Sequence, residues 1–193
     1  MTDQTTVTSN NTQDLIFQPF QKIARYSRLI TITEKIDGTN ASIWIDDLGT
    51  EFRTASRTKW ITPSDDNMGF SRWAHEHREE LMQLGPGHHF GEWWGAGIQR
   101  RYGQVWKRFS LFNTFKFATN RPACCDVVPV LYEGLISDEA INSALDTLKL
   151  EGSKAAPGFM NPEGIVIYHQ AAKQYFKKTL VGDEKPKNST EAG

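Results

Sequence analysis

Cysteine is scarce in this chain: 193 residues contain two, Cys124 and Cys125, side by side. Adjacent cysteines supply neither a disulfide framework nor a CxxC metal knuckle. No run approaches the roughly 18 uninterrupted apolar residues of a membrane span. The opening MTDQTTVTSNNTQD lacks the basic region and apolar segment of a signal peptide, so a reducing cytoplasm is the expected location and no membrane partner is expected. A dominant charge is missing too. Lys and Arg number 22 against 23 Asp and Glu, a net of −1, which excludes a uniformly basic nucleic-acid coat but leaves room for a local patch. The chain has no GxxxxGK[ST] phosphate loop and no GxSxG elbow. Its histidines give no helical zinc site: His75 and His77 fall on different sides of a helix, and His88 and His89 on opposite faces of a strand.

What is present is a globular composition, 38% hydrophobic, with length for one domain. Residues 1 to 14 and 182 to 193 are almost wholly polar and are expected to be loose tails, leaving residues 15–181 as one domain without internal repeat or linker. So few residues after Thr179 leave no room for a folded C-terminal domain, and the expectation is a minimal catalytic domain. Strand patterns prevail. Arg28 to Glu34 (RLITITE) and Ala41 to Asp46 (ASIWID) alternate branched or aromatic residues with small or polar ones, and KIDGTN between them reads as the turn of a hairpin-like pair. Further strands are expected over 51–56, 88–94, 108–115, 127–131, 164–169 and 174–180. One helix is expected over 67–84, from the spacing of Phe70, Trp73, His77 and Leu81. Another follows Ser137 as N-cap, buries Ile141, Ala144, Leu145 and Leu148, and stops at Gly152. Strands outnumber helices without regular β-α alternation, which predicts an α+β fold of mostly antiparallel sheets flanked by helices.

KIDGTN is the sharpest local feature. Asp-Gly is a favoured turn pair and Lys a common solvated neighbour, so the string alone fits a surface turn. It equally fits a nucleophile, Lys35, held at a rigid strand end and activated by neighbouring positive charge. It is followed in order by Ser56-Arg57, FGEWWGAGIQ (90–99), FSLFNTF (109–115), PEGIVIY (162–168) and YFKKT (175–179). This ordered set, over about residues 29 to 179, resembles the covalent nucleotidyltransferases, the ATP-dependent DNA ligases, RNA ligases and mRNA capping enzymes. Within them KIxGTN and FGExxGxGIQ look most like phage RNA ligases of the second type.

The resemblance implies an ATP-grasp-like adenylation domain, ATP with Mg²⁺ or Mn²⁺ as cofactors, and a nucleic-acid partner, RNA before DNA. For a phage-encoded protein it also implies the host cytoplasm. Lys35 would attack the α-phosphorus of ATP in line with departing pyrophosphate. Lys177 would be the second cation beside that phosphate, with Lys178 next to it on the nucleotide. Asp37, Gly38 and Asn40 complete the first motif. Glu92 would accept the ribose hydroxyl, Arg57 would contact ribose or phosphate, Phe112 would stack on adenine, and Glu163 would hold the divalent ion or its water. Each has a plainer reading: Arg57 as a surface arginine, Phe112 as core, Glu163 as a turn residue and one of the paired lysines as a solvated strand edge.

Two positions depart from the family pattern. Asn113 stands where an acid often follows the aromatic pair, and Thr179 where a second lysine is often found. Separately, no acid occurs from Ala96 to Cys125, while Arg100, Arg101, Lys107 and Arg108 lie there among aromatics, a candidate strand-binding surface. The expected function is ATP-dependent RNA ligation through lysyl-AMP, with end recognition weak or supplied by a partner protein. A DNA ligase, a GTP-using capping enzyme and a non-catalytic nucleotide or RNA-end binding module are the alternatives.

Overall fold

Ile30 and Ile32 alternate with Thr31 and Thr33 along β1 (Leu29–Lys35), which lies at the centre of a four-stranded sheet. The computed structural model describes residues 17–183, so the expected tails, Gly182 and Asp183 apart, lie outside the described residues. The sheet runs in the order β10 (Gln174–Thr179), β9 (Gly164–His169), β1, β8 (Val130–Leu135). A six-stranded sheet runs β4 (Trp60–Ile61), β3 (Phe52–Ser56), β2 (Thr39–Ile45), β5 (Gly87–Gly95), β6 (Lys107–Leu111), β7 (Cys125–Val127). Every pairing is antiparallel except β6 with β7, so the expected α+β class with mostly antiparallel sheets holds.

The expected hairpin at KIDGTN does not form. β1 pairs with β8 and β9, while β2 pairs with β3 and β5 in the other sheet. Alternation reports that a strand has a covered face, not which strand lies beside it. Residues 36–38 therefore carry the chain from one sheet to the other, and they do so hard against β5. A Cβ on Gly38 would stand 2.5 Å from Trp93 O and 2.8 Å from Trp94 Cβ, so only glycine passes there. The expected strand over 127–131 is also two elements in different sheets. Its break at Val128-Pro129 is where the chain returns to the four-stranded sheet. Ile36 and Val128, one from each crossing, are buried in one cluster with Trp94, Tyr102 and Ala156.

Each sheet covers one face with helices. On the four-stranded sheet, Ile30, Ile32, Ile165 and Ile167 pack against Ala144, Leu145 and Leu148 of a helix over Asp138–Glu151. Its ends are as the sequence predicts. Ser137 Oγ accepts the Ala140 N–H at 3.1 Å, and Gly152, at φ 77, returns its N–H to Leu148 O. On the six-stranded sheet, Ile43, Ile45, Trp93, Phe109 and Leu111 pack against Phe70, Ala74 and Leu81. A Phe109→Ala exchange in such a core costs about 3–5 kcal/mol.

The helix expected over 67–84 is three pieces: α1 (Phe70–Glu76), α2 (Arg78–Leu81) and a 3-10 turn over Met82–Leu84. The break is at His77, φ −103 and ψ 18, whose Nδ1 lies 2.9 Å from Trp73 O. The strand expected over 108–115 stops at Leu111, because Asn113 Oδ1 accepts the Lys116 N–H and starts the one-turn helix α3 (Thr114–Phe117). The Asp138–Glu151 helix is thus α4. The two-residue strand β4 is too short to show a period.

Candidate functional site

The uncovered faces of the two sheets enclose a cleft of about 1090 Å³, lined among others by Lys35, Asn40, Arg57, Glu92, Phe112 and Lys177. Lys35, last residue of β1, stands in register with Gly164 of β9. Its Nζ lies 2.6 Å from Oε2 of Glu163, a carboxylate 3% exposed. The Lys35 side chain is itself 20% exposed. The sequence anticipates neighbouring positive charge at this lysine, whereas the group it bonds to is this acid. Gly164 is where β10 closes in, since a Cβ there would meet Lys178 O at 2.2 Å.

Glu92 lies opposite Asn40 across β5 and β2. Its Oε2 accepts the Asn40 amide at 2.9 Å and its Oε1 accepts the Gly38 N–H at 3.1 Å. Burial pushes its carboxyl up to about 7, against the opposing influence of the Asn40 bond, the Lys35 charge and the Gly38 N–H. The nearby Glu163 charge adds to the rise. Two of the four acceptor sites of the carboxylate are used in fixing the KIDGTN segment.

Asp37 receives Arg100 Nε at 2.9 Å, and the same guanidinium reaches Asn161 O and Oδ1 at 3.1 and 3.0 Å. Tyr102 Oη accepts the Asp37 N–H at 2.9 Å and also hydrogen-bonds to the Glu163 main chain. Tyr102 is 1% exposed, and burial raises its phenol far above the ordinary tyrosine range. Residues Gln99, Arg101 and Tyr102 all hold positive φ, 43, 60 and 50°. A strained segment after β5 thus fastens the KIDG loop to the loop that carries Glu163.

The basic residues of 96–125 do not form one free patch. Arg100 is spent on Asp37, Arg108 is bidentate to Asp126 at 2.7 and 2.8 Å, and Lys107 Nζ donates to Met68 O at 2.7 Å, while Arg101 is exposed. The stretch lacks acids only along the chain; folding brings Asp37 from afar and Asp126 from just beyond it.

Register separates the paired lysines. Lys177 is opposite Val166 and Thr33 on the cleft face, whereas Lys178 is opposite Ile165 and Glu34 on the face covered by α4. Lys178 is therefore turned away from the cleft. Of the three phenylalanines in FSLFNTF, Phe109 is core, Phe112 faces the cleft at 37% exposure, and Phe115 is 97% exposed. Thr179 Oγ1 is tied to Val181 O at 3.0 Å.

Two residues of the site were missed in the sequence, Tyr102 and Glu34. Glu34 is 1% exposed and accepts Ser153 Oγ at 2.6 Å, Lys154 N at 2.7 Å and Ala155 N at 2.9 Å, anchoring the loop that leads to Glu163. Its signal is parity, since it follows Ile30 and Ile32 on the buried face of β1. Tyr102 has no such signal.

A protein-family model described as RNA ligase matches residues 28–179. The chain belongs to the RNA ligase family. Among solved structures, a Naegleria gruberi RNA ligase variant with ATP and Mn superposes with a TM-score of 0.57 at 17% identity, over 80% of this chain and 50% of that one. A variant of the same ligase with AMP and Mn gives the same four values. A further variant with ATP and Mn gives 0.57 at 18% identity over the same shares. These likenesses establish a shared fold. This RNA ligase family member spans about half the length of those chains. No curated protein matches it. Among the described residues no helix is long and apolar enough to cross a membrane, and no group of three or more His, Cys, Asp or Glu could hold a metal ion.

Proposed function

We propose that this chain is the adenylating unit of an ATP-dependent RNA ligase of the phage second type. The observation that carries the reading is Lys35 Nζ poised at 2.6 Å from buried Glu163, in a cleft whose opposite wall presents Glu92 and Phe112. Lys35 leaves this ion pair and gives its proton to water, and the neutral amine attacks the α-phosphorus of ATP. A P–N bond forms as the bond to pyrophosphate oxygen breaks. Lys177, on the same face, stabilises the charge on the α-phosphate. Glu92 offers its remaining acceptor sites to the ribose, Phe112 its ring to adenine, and Arg57 its charge to the ribose or phosphate. A 5′-phosphate then displaces lysine from AMP, and a 3′-hydroxyl displaces AMP to seal the strand.

A buried carboxylate beside the candidate nucleophile, Glu163, fits a cation that keeps most of its waters and takes other ligands from phosphates. Glu163 with the ATP phosphates would hold Mg²⁺ or Mn²⁺, which supplies neutralisation of phosphate charge. Intact mass under denaturing conditions, after incubation with ATP, Mg²⁺ and pyrophosphatase, tests the reading. An AMP-sized adduct on the wild type and none on Lys35→Ala is expected; protein that is folded, free of AMP and still unmodified would refute it. GTP offered beside ATP, and DNA ends beside RNA ends, test nucleotide and strand.

A further inference from the structure

The cleft continues beyond the catalytic groups along the uncovered face of the six-stranded sheet, and that continuation is paved with aromatic rings. Phe90 of β5 is in register with Ser42 of β2, Ser42 with Ala55 of β3, and Ala55 with Trp60 of β4. The row thus has a ring at each end and two small, buried side chains between. His88 leans over the small residues, with Nε2 2.9 Å from Ser42 Oγ. Its ring centroid lies 4.1 Å from that of Phe90 and 5.8 Å from that of Trp60, to which it is stacked at 18°. Trp60 is 50% exposed and Phe90 54%. Burial holds the His88 imidazole below the ordinary histidine range, so at neutral pH it presents an uncharged ring.

We propose that this row is the docking track for the single-stranded RNA end on its way to Lys35. The inference rests on the ligase reading above. Continuity carries it: His88 and Phe90 line the same cleft as Lys35 and Glu92. At about 1090 Å³ that cleft exceeds the range of roughly 300–1,000 Å³ that suits one small ligand. Through the His88 ring the Phe90 and Trp60 rings stand at most roughly 10 Å apart, the length of about three stacked nucleotides. Charge favours stacking over phosphate tracking. Arg57 stands exposed at the cleft end of the face, but at the far end Arg53, over the Trp44 ring, is paired with Glu51 at 2.8 Å. Flat rings with little net charge suit bases, which bind aromatic platforms whatever their sequence.

The test is titration of the wild type and Trp60→Leu with a short single-stranded oligoadenylate bearing a 5′-hydroxyl, followed by tryptophan fluorescence and anisotropy at several salt concentrations. Trp60→Leu is expected to weaken binding by about five- to a hundredfold with an unchanged salt slope, and Trp60→Phe to restore most of it. Phe90→Leu should weaken binding likewise. An abasic ribose-phosphate strand should bind the wild type and Trp60→Leu equally weakly. Wild-type affinity in Trp60→Leu, or equal affinity for the abasic strand, overturns the track. So does a dimer in sedimentation that Trp60→Leu dissociates, because the face would then serve a second copy. AMP adduct formation without RNA is measured alongside. Trp60 does not line the nucleotide cleft, so adduct formation in the variant reports its fold. An adduct in both proteins with unchanged RNA affinity removes the track alone, whereas no adduct in the wild type removes the ligase reading.

Discussion

Glu92 and Asn40 face each other across β5 and β2, and the bond between them at 2.9 Å joins the cleft wall to the segment that begins with Lys35. The acid has a folded-state value of about 7 against 4.5 for the free side chain, burial being the main cause. Between these values the folded protein binds more protons than the unfolded chain. Its contribution to stability is thus full below pH 4.5 and is lost as pH rises through 7. Over that window this one group lowers stability by up to about 3 kcal/mol. Urea unfolding at pH 5 and pH 7.5 should show the fall in the wild type, and Glu92→Gln should remove most of it.

Tyr102→Phe keeps the ring among Trp94 and Phe159 but leaves the Asp37 N–H without its acceptor. Stability should fall by about 1–3 kcal/mol in urea unfolding, and AMP adduct formation should slow as the two loops lose their shared anchor.

Arg100→Ala removes the bridge from Asp37 to Asn161. From the sequence, Arg100 reads as a strand-binding residue, which would act on RNA binding; from its contacts, adduct formation should slow by about tenfold or more even without RNA. Single-turnover adduct formation followed by mass decides between the two.

Lys177→Ala should slow adduct formation by about a hundredfold or more, the effect of removing a charge from a phosphate site. Lys178→Ala, on the face covered by α4, should change it little. Similar losses in both would mean that β10 shifts by one residue during the reaction.

The strands and α4 were legible because alternation, Ser137 and Gly152 act over a few residues. The string KIDGTN was legible as a place for chemistry because its residue types are unusual in that order. Its pairing was not, because β1 and β2 each had a covered face and nothing local named the neighbour. The same limit explains Arg100 and Arg108, whose acids are found only once the chain folds. It explains Tyr102 as well, a buried aromatic whose hydroxyl matters through two main-chain partners distant in sequence. Lys178 was misplaced for a different reason: adjacent strand residues face opposite ways, and the pair KK does not say which faces the cleft.

The two crossings at Ile36 and Val128 have a topological consequence. β1 and β8 are neighbours in one sheet, yet all of the other sheet, β2 to β7, is threaded between them. It leaves and returns at one packed seam, like a leaf bound along a single spine. Lys35 and Asn40, five positions apart, stand on opposite leaves. The angle at which this cleft stands open is therefore written into the distance between the candidate nucleophile and the wall that would hold its nucleotide.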